Sequence, residues 1–152
     1  MSTDLTDRLK AVPGVESVEE RAGALWAEGP RLDVTAMAEA MAALGLRLAG
    51  VTATPLAAQG ETTVIYHYVD ERSVINVRTR TRNGRLDSLA PTVRAAAWAE
   101  REIHDLYAVD FAGHPDPAPL LRPEGFEPGM LREAMCTPAT AGKAPASPLA
   151  RR

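Results

Sequence analysis

The sequence predicts an α+β fold: a small two-layer domain with a mainly antiparallel sheet packed on helices, followed by a proline-rich extended arm. Three observations carry this reading. Thr62 to Val69 and Ser73 to Arg80 are rich in β-branched and aromatic residues and alternate apolar with polar. Asp33 to Leu44 and residues 96–107 carry apolar side chains at helical spacing. Beyond them Pro115, Pro117, Pro119, Pro123 and Pro128 forbid regular helix or central strand.

In chain order, Thr3 or Asp4 is placed to cap a short helix through Lys10, which Pro13-Gly14 ends. Val15 to Glu19 and Ala24 to Ala27 read as two short strands with Arg21-Ala22-Gly23 in the turn. Asp33 is a good N-cap for a helix through Leu44, and Gly45 a good stop. Its Val34, Met37, Met41 and Leu44 stripe reads as core. Leu46 to Ala53 reads as a strand and Pro55 to Gly60 as a loop.

If the next two strands form a hairpin with Glu71-Arg72 at its tip, Val64, Tyr66 and Tyr68 face Thr79, Val77 and Ile75 on one side. Ile65 and His67 then face Arg78 and Asn76 on the other. His67 reads as a hydrogen-bonding histidine on the polar face, not a metal ligand. Asn83-Gly84 marks a turn, and Ser88-Leu89-Ala90-Pro91 leads into the helix over 96–107. Residues 1–110 thus read as the α+β domain, 111–134 as a partner-binding arm, and 135–152 as a disordered alanine–proline tail.

Composition excludes several functions. The 152 residues suit one compact domain plus a tail. A net charge of −3 with no basic stripe argues against nucleic acid. The first seven residues do not read as a signal peptide, and no stretch reaches the roughly 20 apolar residues that cross a bilayer. One cysteine, Cys136, can neither close an internal disulfide nor hold an iron–sulfur cluster. No glycine-rich phosphate loop is present.

The last helix is the most informative stretch. Wound at 3.6 residues per turn, it puts Ala96, Ala99, Ile103, Leu106 and Tyr107 on one face and Trp98, Arg101, Glu102 and Asp105 on the opposite one. Glu100 and His104 sit one turn apart on the flank. An indole, a guanidinium and two carboxylates in one patch suggest an interface. The bland alternative is a solvated Arg101–Asp105 pair worth about 0.2–0.5 kcal/mol, with Trp98 as core.

Three chemistries compete for these residues. Glu100, His104 and His114 could serve a stand-alone metal-dependent enzyme, but no metal-binding spacing supports them. Glu102 and Asp105 could form an acid–base pair, yet Arg101 beside them favours ion pairing over proton transfer. Cys136 lacks a positioned base.

The run Trp98-Ala99-Glu100-Arg101-Glu102-Ile103-His104-Asp105-Leu106-Tyr107, then Phe111, Gly113-His114-Pro115-Asp116 and Leu120-Leu121, resembles the respiratory-chain NADH dehydrogenase 30 kDa subunit family. That family includes the equivalent small subunits of energy-converting, membrane-bound nickel–iron hydrogenases. The likeness covers Thr62 to Glu133 well. It implies a non-catalytic structural subunit with no catalytic residue, metal or cofactor of its own. The partners implied are a large subunit, 49 kDa-like or hydrogenase-like, and a neighbouring iron–sulfur subunit. These would carry the iron–sulfur clusters and the NADH, quinone or nickel–iron chemistry. The implied location is peripheral, on the cytoplasmic side of the cell membrane, held through partners.

By the same resemblance, Trp98, Glu100, Arg101, Glu102 and Asp105 form an interface helix. Gly113, His114, Pro115 and Asp116 start the arm that runs over the partner. The chain departs from the family pattern at Ala108, where glycine is usual, which predicts a reshaped helix exit. It departs again at Pro117-Ala118-Pro119, where a leucine and arginines usually follow, with Arg122 as the expected substitute. The tail and the wording Ile103 to Tyr107 lean toward the hydrogenase side.

Overall fold

The computed structural model describes residues 3–56 and 61–131. The tail expected to be disordered, Cys136 and the last three residues assigned to the arm lie outside the described residues.

In chain order the elements are α1 (Thr3–Lys10), β1 (Ser17–Arg21), β2 (Ala24–Glu28), α2 (Val34–Ala43), β3 (Arg47–Leu56), β4 (Glu61–Val69), β5 (Val74–Arg80), β6 (Arg85–Asp87), α3 (Ala96–Tyr107) and β7 (Asp110–Ala112). Five strands form one sheet in the order β1-β2-β5-β4-β3. Three of its pairings are antiparallel and β2–β5 is parallel. β6 and β7 pair separately, in parallel.

Side-chain alternation sets the central register. Val64, Tyr66 and Tyr68 stand opposite Thr79, Val77 and Ile75, and Ile65 and His67 opposite Arg78 and Asn76, as the sequence predicts. The apolar set joins Leu25, Ala27 and Val51 beneath Leu9 of α1, Val34, Met37 and Met41 of α2, and Ala96 and Ile103 of α3. Each large aliphatic side chain buried there contributes about 1.5–3 kcal/mol. On the opposite face His67 bridges two strands, Nδ1 to Asn76 Oδ1 at 2.7 Å and Nε2 to Thr52 Oγ1 at 2.8 Å.

Asp33 caps α2 as expected, its Oδ1 accepting the amides of Thr35 and Ala36 at 3.0 and 2.9 Å. Gly45 follows at φ +76°. Where the α1–β1 turn meets the β2–α2 turn, only glycine fits. A Cβ on Gly29 would lie 1.9 Å from the Gly14 carbonyl oxygen.

Three details correct the sequence reading. Pro55 and Leu56 are strand, not loop, and Pro55 pairs with Thr62. β3 is an edge strand, where a missing N–H is tolerated. Phe111 lies in β7 and in the core, so the arm begins after Ala112. Finally, the helix exit is not reshaped by Ala108. Alanine there takes the left-handed conformation itself, φ 56° and ψ 35°, and its N–H reaches the His104 carbonyl at 2.9 Å.

A left-handed alanine is strained because its Cβ crowds the backbone. Ala108→Gly is therefore expected to raise stability by about 1 kcal/mol in urea unfolding. An unchanged or lower midpoint would contradict this account of the exit.

Candidate functional site

α3 is built on alanine at its start and on Ile103 packed against the sheet, and it lies across β3. Two carboxylates on this helix are fully buried, Glu100 and Asp105. Buried carboxylates persist only when hydrogen-bonded or paired. These two satisfy that condition in opposite directions.

Glu100 reaches back to the loop that precedes its own helix. Ser88 Oγ donates to Oε2 at 2.5 Å and the Leu89 amide to Oε1 at 2.7 Å. The loop that feeds α3 is thereby tied to its second turn. Desolvation pushes the Glu100 carboxyl above the ordinary carboxylate range, although these hydrogen bonds pull the other way.

Asp105 reaches forward to the arm. Its Oδ2 accepts three successive backbone amides, Leu120 at 2.8 Å, Leu121 at 2.7 Å and Arg122 at 3.0 Å. Arg122 Nε lies 3.5 Å from Oδ1. Desolvation opposes the charge here too, but the three amides and the guanidinium outweigh it and hold the carboxyl below its usual value. The arm then returns to the same turn of helix. The Asp105 carbonyl accepts the amides of Gly129 and Met130, and the Leu106 carbonyl that of Leu131. These are end-of-helix carbonyls that an α-helix leaves without internal partners.

Arg101 and His114 complete the clamp. Arg101 donates through Nε to the Ala118 carbonyl at 2.8 Å and through Nη2 to that of Pro119 at 3.1 Å. Its Nη1 lies 3.4 Å from Asp116 Oδ2. The His114 side chain is 4% exposed. Its Nδ1 accepts the Asp116 amide at 3.0 Å, which places the ring proton on Nε2, donated to the Ala97 carbonyl at 3.1 Å.

The expected charged face for a partner is therefore corrected. Asp105, assigned to the exposed face, is internal because the arm folds back over it. Glu100, assigned to the flank, is internal because the Ser88–Ala90 loop closes on it. Arg101 is spent on the chain's own arm. Gly113, His114, Pro115 and Asp116 run over α3 of the same chain in the described residues. Arg122 does meet a carboxylate, that of Asp105. Trp98 and Glu102 remain exposed, as their assigned face requires.

Glu100, His104 and His114 do line one cavity, of about 40 Å³. Their near atoms are engaged with the backbone and Ser88; His104 Nδ1, for instance, meets the Val109 carbonyl at 2.9 Å. Among the described residues no group of three or more His, Cys, Asp or Glu side chains is arranged to hold a metal ion. Sequence reasoning missed Ser88 and the three amides of residues 120–122. Backbone donors leave no mark on residue type.

Asp105 carries a pH signature. Its folded carboxyl sits below the unfolded value of about 3.9. Its contribution is complete above that value and fades as pH falls through the folded one. Asp105→Asn should cost about 2–4 kcal/mol at pH 7, from weakened amide contacts and an uncompensated Arg122. The gap from the unsubstituted chain should narrow below about pH 4. Urea unfolding across pH measures both, and a cost independent of pH would show that the carboxylate charge plays no part.

The chain resembles known proteins in both sequence and structure. A family model described as respiratory-chain NADH dehydrogenase, 30 Kd subunit, matches residues 28–140. An NADH-quinone oxidoreductase subunit of Methylorubrum extorquens is 40% identical over 73 residues, 46% of this chain and 33% of that protein. A probable NADH-ubiquinone oxidoreductase 30.4 kDa mitochondrial subunit of Candida maltosa is 34% identical over 73 residues, 46% of this chain and 26% of that protein. The matches thus span about a third or less of these relatives' length. Among solved structures, a trypsin-resistant fragment (1–134) of Nqo5 aligns with a TM-score of 0.61 at 26% identity, covering 74% of this chain and 96% of the fragment. A chain of the membrane-bound sulfane sulfur reductase, an archaeal respiratory membrane complex, aligns with a TM-score of 0.63 at 23% identity, over 73% of this chain and 69% of that one. At that identity the second likeness is one of fold.

Proposed function

Because the chain belongs to the respiratory-chain NADH dehydrogenase 30 kDa subunit family, we propose that it is a non-catalytic structural subunit of a membrane-associated electron-transfer complex. The complex is of the NADH:quinone oxidoreductase type or the group 4 nickel–iron hydrogenase type. In this reading the chain packs against the large subunit that carries the quinone or nickel–iron site, beside an iron–sulfur subunit. It contributes surface and architecture. Iron–sulfur clusters, NADH, quinone or nickel–iron chemistry belong to its neighbours. It is held peripherally, on the cytoplasmic side, through those partners. Among the described residues no helix is long and apolar enough to cross a membrane, which fits attachment through partners.

One observation carries the reading. The chain's own contacts consume Glu100, Arg101 and Asp105 and leave large apolar side chains outside. Trp98 is 71% exposed, Leu121 52% and Phe126 51%, with Met130 and Leu131 also exposed. They stand on α3 and on the arm strapped to it. Water solvates such side chains poorly, and several of them on one structural unit mark an interaction surface. Trp anchors interfaces because it buries much area at little entropic cost.

The test is a Trp98→Ala, Leu121→Ser double variant. Its stability in isolation should stay within about 0.5 kcal/mol of the parent, since both side chains are exposed. Its affinity for the large subunit, measured by co-purification and titration, should fall tenfold or more, about 1.4 kcal/mol or above. Undiminished assembly would remove this surface from the interface.

A further inference from the structure

A cleft of about 390 Å³ opens between the β2–α2 loop, the end of β5 and β6, lined by none of the clamp residues. Arg31, Arg80, Arg82 and Arg85 stand in its wall, with Asp33 and Asp87. A second cleft, of about 220 Å³, shares Arg80 with it, but there Arg78 and Arg80 are matched in number by Glu16 and Glu28. The concentration of positive charge follows from strand alternation. Thr79 and Thr81 are buried at 1% exposure, so Arg80 and Arg82 between and beyond them point outward.

Not all of this charge is balanced. Arg78 pairs with Glu28 at 2.5 Å, and Arg85 lies 3.5 Å from Asp110. Asp33 is occupied as the cap of α2. Arg31, Arg80 and Arg82 have no ion pair or side-chain hydrogen bond among the described residues. Arg31, Arg80 and Arg82, none of them in an ion pair, therefore share one concave surface in which four arginines outnumber two aspartates, on a chain whose net charge is −3. Guanidinium forks match carboxylates bidentately and are weakly hydrated, which suits them to interfaces. The two carboxylates in the same wall would repel a compact polyanion. A peptide with spaced single charges avoids that repulsion and can offer a backbone N–H group to Asp87.

We propose that this cleft receives an acidic segment, bearing Asp or Glu side chains, of a neighbouring subunit. The inference rests on the subunit role proposed above and adds a second, electrostatic contact to the apolar one.

The experiment compares the complex formed by the unsubstituted chain, by Arg80→Gln/Arg82→Gln and by Arg80→Lys/Arg82→Lys, at low and moderate salt. Both arginines are exposed, so the melting point of each isolated variant serves as the folding control, with Arg31→Gln as an independent probe on another loop. The glutamine variants should bind roughly tenfold more weakly at low salt, with a flatter salt dependence; the lysine pair should keep the salt dependence. Assembly of the glutamine variants with unchanged affinity and salt dependence overturns the cleft proposal and leaves the subunit role intact. Failure of the unsubstituted chain to assemble overturns both. Calorimetry of the isolated chain with pyrophosphate covers the other anion source. Binding abolished by the glutamine pair, with assembly unaffected, would make the cleft a small-anion site and overturn the proposal.

Discussion

One buried carboxylate fixes the path of the arm that follows α3, over residues 113–131. Asp105 gathers three consecutive amides, from Leu120, Leu121 and Arg122, onto a single oxygen. Prolines at 115, 117 and 119 make the preceding segment stiff and deny it the hydrogen bonds of a helix or strand. Such a segment can be fixed only by side chains and helix ends. Asp105 supplies the main anchor, Arg101 holds two carbonyls just upstream, and the open carbonyls at the end of α3 take the amides just downstream. The arm lies along α3 because these groups give its amides and carbonyls the partners that a proline-rich segment lacks, and in doing so it buries Asp105.

The two internal carboxylates divide the work along the chain. Glu100 fixes what comes before the helix and Asp105 what comes after it. Their environments differ enough to move their carboxyl groups in opposite directions. Glu100 accepts two donors in a site with His114 Nε2 at 3.8 Å, and burial dominates. Asp105 accepts three amides beside a guanidinium, and the donors dominate. In this chain Glu102 stays exposed, while Glu100 and Asp105 form an internal clamp. Its consequence for assembly is indirect: a preorganised arm loses less entropy on docking than a free one.

Much of the fold was legible because it rests on local periodicity. The β4–β5 register follows from alternation over Thr62 to Arg80, the α2 cap from Asp33, and the limits of α3 from its apolar spacing. The parallel β2–β5 pair was not legible, since its partners lie about fifty residues apart and no local pattern names them. Nor were β6 and β7, three residues each, too short for a period to show. The helical wheel placed Asp105 on the outside because a wheel sees only its own helix. What covers Asp105 arrives 15 to 17 residues later, from a segment with no periodicity at all. Ala108 misled for another reason: glycine is the comfortable residue in the left-handed region, but the closing contacts around the exit hold alanine there.

The central claim is that the arm is clamped in the free subunit, before any partner binds. Amide hydrogen exchange of the isolated chain near neutral pH, resolved at Leu120, Leu121 and Arg122, tests it most directly. The clamp predicts that these three amides exchange far more slowly than those of an unstructured peptide, despite lying in a proline-rich segment without helix or strand. Exchange at the unstructured rate would contradict it, and would mean that the arm is ordered only by its partner.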